Sequence, residues 1–437
     1  MIIRRNFYVV LALLAGSVLA ASIWGKDVYY RLIYLWGFLI ASSWIWTRIS
    51  LRGIRLRRFA RTTRQQVGQI FEERFEINNE SRFPHLWIAI QDQSNLPGSG
   101  SSRVLSWIGG LQQRSYISYS WLTRRGLFQL GPTQISSGDL FGLFGVERFL
   151  QGNTSLLVTP FLVELQSFPS PMGVLPGGPA LRQKTLEVTP YAAGIREYLP
   201  GDSLNRIHWA STARHDRMMV KEFEQDPQSD VWIFVDAQEF VHAELPEARP
   251  ILKPDPMQLW RHRPEEVRLP PATIEYAVSS AASIARYYLN KGHAVGLASS
   301  GKTSSILPAE RGERQLGKIM ENLAFLEADG DLSLPGMVST QASYMPRGCT
   351  VVLITPSTLQ EVALVVDDLQ RRSLHPVAVL INAATFGGGL GTVSLETLIR
   401  ARNIPVMQVS NQVDLRESLE ANAPGFAQFS PWAQEAD

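Results

Sequence analysis

Residues 231–237 read VWIFVDA, an uninterrupted apolar run that ends in a carboxylate. Such a run is typical of a strand that is buried on both faces of a parallel sheet. Helix-like and strand-like patterns then alternate: apolar residues recur at helical spacing from Ile274 to Leu289, followed by HAVGLA, TVVLITP, HPVAVLI and IPVMQVS with amphipathic segments between them. This alternation predicts an α/β domain with a doubly wound, mainly parallel sheet.

Within this region, residues 296–303 (GLASSGKT) match the phosphate-loop spacing G-x-x-x-x-G-K-[ST]. A working loop needs a helix that begins at Gly301-Lys302-Thr303 and points its N-terminal amides at the phosphates. The chain instead continues with SSILPAERGE, which is strand-like and contains a proline. We therefore interpret Ser-Ser-Gly-Lys as the tip of a β-hairpin. A membrane-bound nucleotide hydrolase that uses this loop stays open as an alternative function.

Upstream, residues 51–166 carry short strand-like segments such as PHLWIAIQD, SYISYSWL and TSLLVTPF, separated by clusters of turn-forming residues. This pattern predicts a small β-sandwich-like domain. Residues 167–189 are rich in Pro and Gly, which predicts a linker. The α/β part then occupies residues 190–437.

The first fifty residues predict a two-helix transmembrane hairpin. Residues 7–24 carry no charge and residues 28–47 carry only Arg31, and each run is long enough to cross a bilayer as a helix. Arg4 and Arg5 precede the first span, and seven arginines between positions 48 and 64 follow the second. The positive-inside rule then predicts an inner-membrane protein with both termini in the cytoplasm. A cleaved signal peptide at the N-terminus is the alternative.

The distribution of charge restricts the function further. The 437-residue chain has a formal net charge of +2, but residues 1–64 hold eleven Lys/Arg residues and a single acid, Asp27. Residues 65–437 therefore hold 31 basic and 39 acidic side chains, a net charge of −8, which argues against nucleic-acid binding. We expect the basic arm after the second span to contact anionic lipid, with a protein contact left open. The single cysteine, Cys349, excludes an internal disulfide and any zinc cluster built on cysteines.

Just before the first buried strand, residues 196–225 read REYLPGDSLNRIHWASTARHDRMMVKEFEQ. This segment resembles the signature of domain-of-unknown-function family 58, in which Arg-x-Tyr-x-x-Gly-Asp is followed by Ile-x-Trp, Ala-Arg and a basic-acidic pair. A weaker similarity lies in RRGLFQLGPTQISSGDLFGLF at residues 124–144. The matching signature positions are Arg196, Tyr198, Gly201, Asp202, Arg206, Ile207, Trp209, Ala213, Arg214, Lys221 and Glu222.

The resemblance implies a membrane-anchored bacterial protein whose C-terminal part is a von Willebrand factor A-like domain. Family members are often found alongside MoxR-type AAA+ ATPases, which implies an interaction or chaperone-like role with such a partner. No reaction is established for the family, so the resemblance supplies no catalytic residue. We interpret the charged signature residues as ion pairs that fasten an arm to the sheet, with Tyr198 and Trp209 as packing anchors. A general acid/base set around Asp202 and His208 is the alternative interpretation.

Metal-binding A-type domains carry Asp-x-Ser-x-Ser after their first strand. Here Asp236 is followed by Gln238 and Phe240 at the two serine places. One carboxylate and one amide make a poor magnesium site, so we expect a degenerate site without metal or other cofactor, in which Asp236 bonds nearby backbone amides. The predicted function is that of a non-enzymatic, membrane-anchored cytoplasmic scaffold that acts with a MoxR-type ATPase in assembly or envelope-related processes. A metal-dependent adhesion module is a further alternative.

Overall fold

The computed structural model describes residues 1–152, 154–169, 192–198, 207–223, 230–246 and 269–421. The chain forms two compact units, one of Met1–Phe161 with Pro246–Pro270 and one of Leu162–Leu245 with Pro271–Asp437. The architecture is mixed α/β, with two apolar helices at the N-terminus and several separate sheets. The predicted α/β class and the predicted pair of N-terminal helices are confirmed.

Two long helices open the first unit, α1 (Arg5–Trp24) and α2 (Asp27–Ile49). They are joined by Gly25 and Lys26 and pack against each other. Gly25 adopts a left-handed conformation with φ of 55°, which ends α1 and reverses the chain. In the most apolar 18-residue stretch of each helix, only 11% is buried within the protein. By length and composition both helices are able to span a membrane.

The rest of the first unit is built from strands. In the described residues these are β1 (Ile2–Ile3), β2 (Ile54–Ala60), β3 (Arg64–Gln66), β4 (Ile70–Asn79), β5 (His85–Asp92), β6 (Arg103–Ile108), β7 (Gln113–Trp121), β8 (Gly126–Leu130), β9 (Thr133–Gly138), β10 (Phe144–Leu150) and β11 (Thr154–Thr159). They form sheets of order β1-β10-β9-β5-β6, β2-β4-β7 and β3-β11-β8. The pairings are antiparallel except for β3 with β11.

The core of this β-rich part follows the two-residue period of its strands. Phe75 of β4 stacks on Tyr116 of β7 with ring centroids 5.0 Å apart, and both belong to a cluster with residues of β2, β5 and β9. One position of the inward row of β4 holds a carboxylate, Glu73, whose side chain is fully buried. Arg58 of β2 donates from Nε to Glu73 Oε1 at 2.7 Å and from Nη1 to Asp92 Oδ1 at 2.8 Å. One guanidinium therefore pairs with two buried carboxylates.

Serine hydroxyls complete this ion cluster. Ser94 donates to Asp92 Oδ2 at 2.7 Å, and Ser101 donates to the same oxygen at 2.5 Å. Burial by itself raises the pKa of Asp92, but these hydroxyls and the Arg58 charge outweigh burial and lower it. Burial raises the pKa of Glu73, although Arg58 opposes that shift. The cluster thus links strands β2, β4 and β5 through side-chain hydrogen bonds.

The second unit contains a small hairpin and a large sheet. Its described strands are β12 (Ala192–Glu197), β13 (Met219–Phe223), β14 (Val231–Val235), β15 (Val295–Ser300), β16 (Ser304–Glu310), β17 (Thr350–Thr355), β18 (His375–Ile381) and β19 (Val406–Val409). Its described helices are α3 (Trp209–His215), α4 (Thr273–Asn290), α5 (Glu313–Phe325), α6 (Leu334–Gln341), α7 (Glu361–Arg371), α8 (Val393–Arg400) and α9 (Leu415–Glu420).

Six of these strands form one sheet of order β16-β15-β14-β17-β18-β19. The pairings from β15 through β19 are parallel, and β16 runs antiparallel along β15. The strands β14, β15, β17, β18 and β19 lie on the apolar runs seen in the sequence. Residues such as Ile233, Phe234 and Val352 are fully buried, as expected where helices cover the strands.

Candidate functional site

The signature segment forms an arm made of β12, α3 and β13. The strands pair antiparallel, and the backbone N–H of His208 donates to the carbonyl of Met219 at 2.8 Å. His208 caps α3, because its Nδ1 accepts the backbone N–H of Ser211 at 3.2 Å. Thr212 on the helix accepts the N–H of Met219 through its hydroxyl at 3.0 Å. Local hydrogen bonds therefore hold the helix against its own hairpin.

The signature residues fall into two groups. Gly201, Asp202 and Arg206, together with the side chains of Arg196, Lys221 and Glu222, lie outside the described residues. Of the described positions, Tyr198 is half-buried, Ala213 and Arg214 are exposed, Ile207 is buried, and Trp209 is 70% exposed.

Two of these placements concern the predicted packing and ion pairing of the arm. The prediction that Trp209 is a packing anchor is wrong: it is the first residue of α3, whose attachment runs through His208 and Thr212 instead. Ile207, which bridges to Val220, takes the buried place. An ion pair of the described arm joins Arg217 and Glu197 at 3.6 Å, and both side chains are largely exposed, so it stabilises the arm little.

The carboxyl edge of the large sheet begins with Asp236, directly after β14. Asp236 is 2% exposed. Its Oδ2 accepts the hydroxyl of Thr355 at 2.6 Å, and its Oδ1 accepts the backbone N–H of Gln238 at 3.2 Å. Burial raises the pKa of Asp236, and these two donors oppose that shift. The predicted bond to a backbone amide is present, whereas the second donor, Thr355, was not predictable from the sequence.

His242 fastens the loop that follows β14. Its Nε2 lies 3.0 Å from the carbonyl oxygen of Asp236, and its Nδ1 lies 2.8 Å from the hydroxyl of Thr273 at the start of α4. Because a carbonyl oxygen only accepts hydrogen bonds, the ring proton is on Nε2. The loop is therefore tied at both ends, and Phe240 at its tip points into solvent with 86% of its surface exposed.

These contacts bear on the metal-dependent alternative. Both carboxylate oxygens of Asp236 already accept protein donors, and Phe240 carries no donor atom for a cation. In the part of the chain that the structure describes, no group of three or more His, Cys, Asp and Glu side chains is arranged to hold a metal ion. The donor set at this edge thus does not fit a magnesium ion.

The phosphate-loop motif lies in a β-hairpin, as the sequence interpretation predicts. Strands β15 and β16 pair antiparallel up to Ser300 and Ser304, and the chain continues along β16 until α5 begins at Glu313. The backbone N–H of Lys302 donates to Asp329 Oδ1 at 2.8 Å. A phosphate at this turn would face that carboxylate.

The first glycine of the motif has a packing role. Gly296 pairs with Trp232 of β14, and a Cβ at position 296 would lie 2.8 Å from the Trp232 ring. The neighbouring strand therefore needs glycine at this position for the indole ring to fit.

Exposed apolar side chains mark the same edge of the sheet. The loops after the four adjacent strands β14, β17, β18 and β19 each expose one, and carboxyl ends of parallel strands meet at one edge. We call this set the apolar rim: Phe240, Leu359, Leu390 and Val413, which are 86%, 53%, 72% and 48% exposed. Sequence reasoning missed the rim, because single apolar residues in loops carry no signal until the strand order is known.

Residues 194–242, which run from the arm to His242, match a family model described as "Protein of unknown function DUF58". Over 403 residues the chain is 24% identical to YeaD, an uncharacterized protein of Bacillus subtilis (strain 168), and the similarity covers 89% of this chain and 87% of YeaD. The chain therefore carries a DUF58 segment at residues 194–242 and is similar to a DUF58-type relative over most of its length. The family resemblance stated from the signature is thereby confirmed.

Two solved structures are remotely similar to this chain. Proximal thread matrix protein 1 from the mussel byssus is 11% identical with a TM-score of 0.29, over 44% of this chain and 46% of that chain. The CARDB domain of the PF1109 protein from Pyrococcus furiosus is 11% identical with a TM-score of 0.18, over 24% of this chain and 91% of that chain. This chain thus spans less than half the length of the mussel protein.

The matched DUF58 segment joins the two parts of the candidate site in sequence. It contains the arm, the strand β14, Asp236 and the loop with Phe240. Thr355 and the other three rim residues lie beyond its end at His242. The DUF58 segment therefore supplies the inner strand β14 and its loop, and later strands supply the rest of the carboxyl edge.

Proposed function

We propose that this protein is a non-enzymatic, membrane-anchored scaffold whose second unit binds a protein partner through the apolar rim. The rim carries the proposal, because four loops at one sheet edge each hold an apolar side chain in solvent. We infer that these four side chains contribute to one contact surface, since contiguous exposed apolar surface marks interaction sites in soluble domains. At the same edge, the carboxylate of Asp236 is already bonded to Thr355 and to the backbone of Gln238.

The second unit is proposed to be a doubly wound, von Willebrand factor A-like domain. Counted from β14, its strands have the order 3-2-1-4-5-6, with the third strand antiparallel at the edge. Residues of α6, α7 and α8 share one core cluster with Phe234, and α4 packs against the same strands β14, β15, β17 and β18. Folds with this strand order bind ligands at the carboxyl edge, where the rim lies.

Membrane anchoring is assigned to α1 and α2. Their apolar side chains include Leu19, which is 62% exposed, and Phe38, which is 75% exposed. Strand β1 precedes α1 and pairs with β10 of the β-rich part, which follows α2. Both ends of the helix pair therefore lie on one side, which supports two crossings. The surplus of arginine at these ends favours the cytoplasmic side of the inner membrane.

For the partner we propose a MoxR-type AAA+ ATPase, with a role in assembly or envelope-related processes. The family resemblance supports this choice. The experiment is co-purification of a MoxR-type ATPase of the same organism with the tagged full-length protein from detergent-solubilised membranes.

One double variant and one matched control variant test the rim in that experiment. Phe240→Asp with Leu390→Asp should abolish co-purification. Tyr344→Asp is the control, because Tyr344 is also an exposed aromatic residue, at 83%, but precedes β17 and so lies at the amino edge. Co-purification that is equal for all three proteins would contradict the proposed role of the rim.

A further inference from the structure

The turn between β9 and β10, Asp139–Leu143, is a rigid support for two exposed apolar side chains. The carboxylate of Asp139 is buried and accepts the backbone N–H groups of Phe141 at 2.9 Å, Leu143 at 3.1 Å and Phe144 at 2.6 Å. Gly142 completes the turn with φ of 66°. At the tip, Leu140 is 69% exposed and Phe141 is 56% exposed.

This turn lies beside the first turn of α1. The backbone N–H of Arg4 donates to the carbonyl of Leu143 at 3.0 Å, and Asn6 Nδ2 donates to the carbonyl of Phe141 at 3.4 Å. The rings of Phe7 and Phe144 are 5.2 Å apart. Because the uncharged run of α1 begins at Phe7, the tip of the turn is level with the start of the first span.

The direction of β1 also places the turn near the start of the first span. In β1, Ile2 pairs with Gly145 and Ile3 with Phe144, so the chain runs toward the turn as it enters α1. Helix α2 also contacts β9 and β10. Exposed arginines, Arg4 and Arg5, stand at the same end of α1, as expected where a helix leaves the headgroup region.

We propose that Leu140 and Phe141 insert into the interfacial region of the bilayer, so that the β9–β10 turn is a membrane contact in addition to α1 and α2. This inference rests on the proposed anchoring by those helices. A leucine and a phenylalanine on a turn fixed by a buried carboxylate have no means of folding back into the protein core, whereas the adjacent bilayer offers them an apolar environment. The contact fixes the height and tilt of the β-rich part above the membrane.

Depth-dependent fluorescence quenching tests the proposal on the full-length protein. The native Cys349 is buried, which raises the pKa of its thiol to about 12, and it is replaced in a Cys349→Ala background. Leu140→Cys and Phe141→Cys carry an NBD probe in vesicles of phosphatidylcholine and phosphatidylglycerol with nitroxide-labelled lipids. Phe149→Cys is the matched control, since Phe149 is 58% exposed but lies five residues beyond Phe144 on β10, about 17 Å farther from the turn.

A probe on residue 11, introduced in α1 as Leu11→Cys, shows whether α1 itself lies in the bilayer. We expect strong quenching of the Leu11 probe by deep nitroxides, and quenching at positions 140 and 141 by shallow nitroxides at least about twofold above that at 149. If the Leu11 probe is quenched while 140 and 141 behave like 149, the turn does not contact the bilayer and anchoring stands. If the Leu11 probe is not quenched, the anchoring is wrong and the inference is overturned with it.

Discussion

The hydroxyl of Thr355 donates to Asp236 Oδ2 across 2.6 Å and thereby joins the ends of two adjacent parallel strands, β14 and β17. Asp236 ends the apolar run that opens the large sheet, and Thr355 is the last residue of the next strand in the sheet. Both residues are buried. The bond therefore holds the carboxyl ends of β14 and β17 together at the edge from which the loops of the apolar rim emerge.

Removal of this donor should destabilise the second unit. Thr355→Val keeps the shape of the side chain but leaves the carboxylate of Asp236 without one donor and the backbone N–H of Ser357 without its acceptor. Each such loss costs about 1–3 kcal/mol of unfolding free energy. The measurement is denaturant unfolding in detergent. Thr350→Val at the start of the same strand is the control, because the buried Thr350 hydroxyl has no hydrogen-bond partner among the described residues. Equal losses in both variants would contradict the assigned role of Thr355.

The ion cluster of the β-rich part should respond more strongly. Arg58→Met leaves the carboxylates of Glu73 and Asp92 buried and unpaired, and their side chains are 0% and 1% exposed. Loss of one partner from such a pair costs about 3–5 kcal/mol of unfolding free energy. Arg55→Met on the same strand removes an exposed pair with Glu80 and should cost less than about 1 kcal/mol. A similar unfolding midpoint for both variants would show that the buried cluster does not stabilise the fold.

The stability of the protein should depend on pH through Asp236. Burial raises the pKa of Asp236 above its ordinary value of 3.8. At a pH between the ordinary pKa and the raised pKa of the folded protein, folded Asp236 keeps a proton that the unfolded chain has released. The contribution of Asp236 to the unfolding free energy therefore falls as pH rises through that window. Asp236→Asn does not titrate, and its stability relative to the parent should rise over the same window and then level off. A relative stability that falls with rising pH would contradict the assigned burial.

The topology of the anchor can be tested with reporter fusions. Because the arginines gather at the end of the helix pair that carries β1 and the β-rich part, the positive-inside rule predicts that this end is cytoplasmic. Alkaline phosphatase fused after Asp437 should therefore be inactive. A truncated fusion after Lys26, in the loop between α1 and α2, should be active and serves as the positive control. Strong activity of the full-length fusion would place the body in the periplasm instead.

The sequence predicted best those elements whose pattern depends on local burial. The runs that became β14, β15 and β17 are mostly apolar, and nearly all of their residues are buried. The hairpin at Gly301-Lys302-Thr303 was predictable for a similar reason, since strand-like residues and a proline follow the turn. In both cases the neighbours in sequence are also the neighbours that decide the structure.

Contacts between distant segments were not predictable in this way. The donor to Asp236 lies 119 residues away in Thr355, and only the order of the strands brings the two together. Glu73 lies among the inward-facing residues of β4, where an apolar side chain is expected. Its burial is explained only by Arg58 on the paired strand β2, which donates to it. For Trp209 the prediction was wrong in the other direction. An aromatic residue in a signature suggested burial, but Trp209 is the first residue of α3 and is exposed to solvent.

The affinity of the purified protein for a MoxR-type ATPase tests the central claim most directly. The full-length chain in lipid nanodiscs would be titrated with the ATPase, and the Kd compared among the parent, Phe240→Asp with Leu390→Asp, and Tyr344→Asp. The account predicts at least about tenfold weaker binding for the rim variant, as for loss of central apolar anchors, and an unchanged Kd for Tyr344→Asp. No binding by the parent, or equal affinity of the parent and the rim variant, would contradict it.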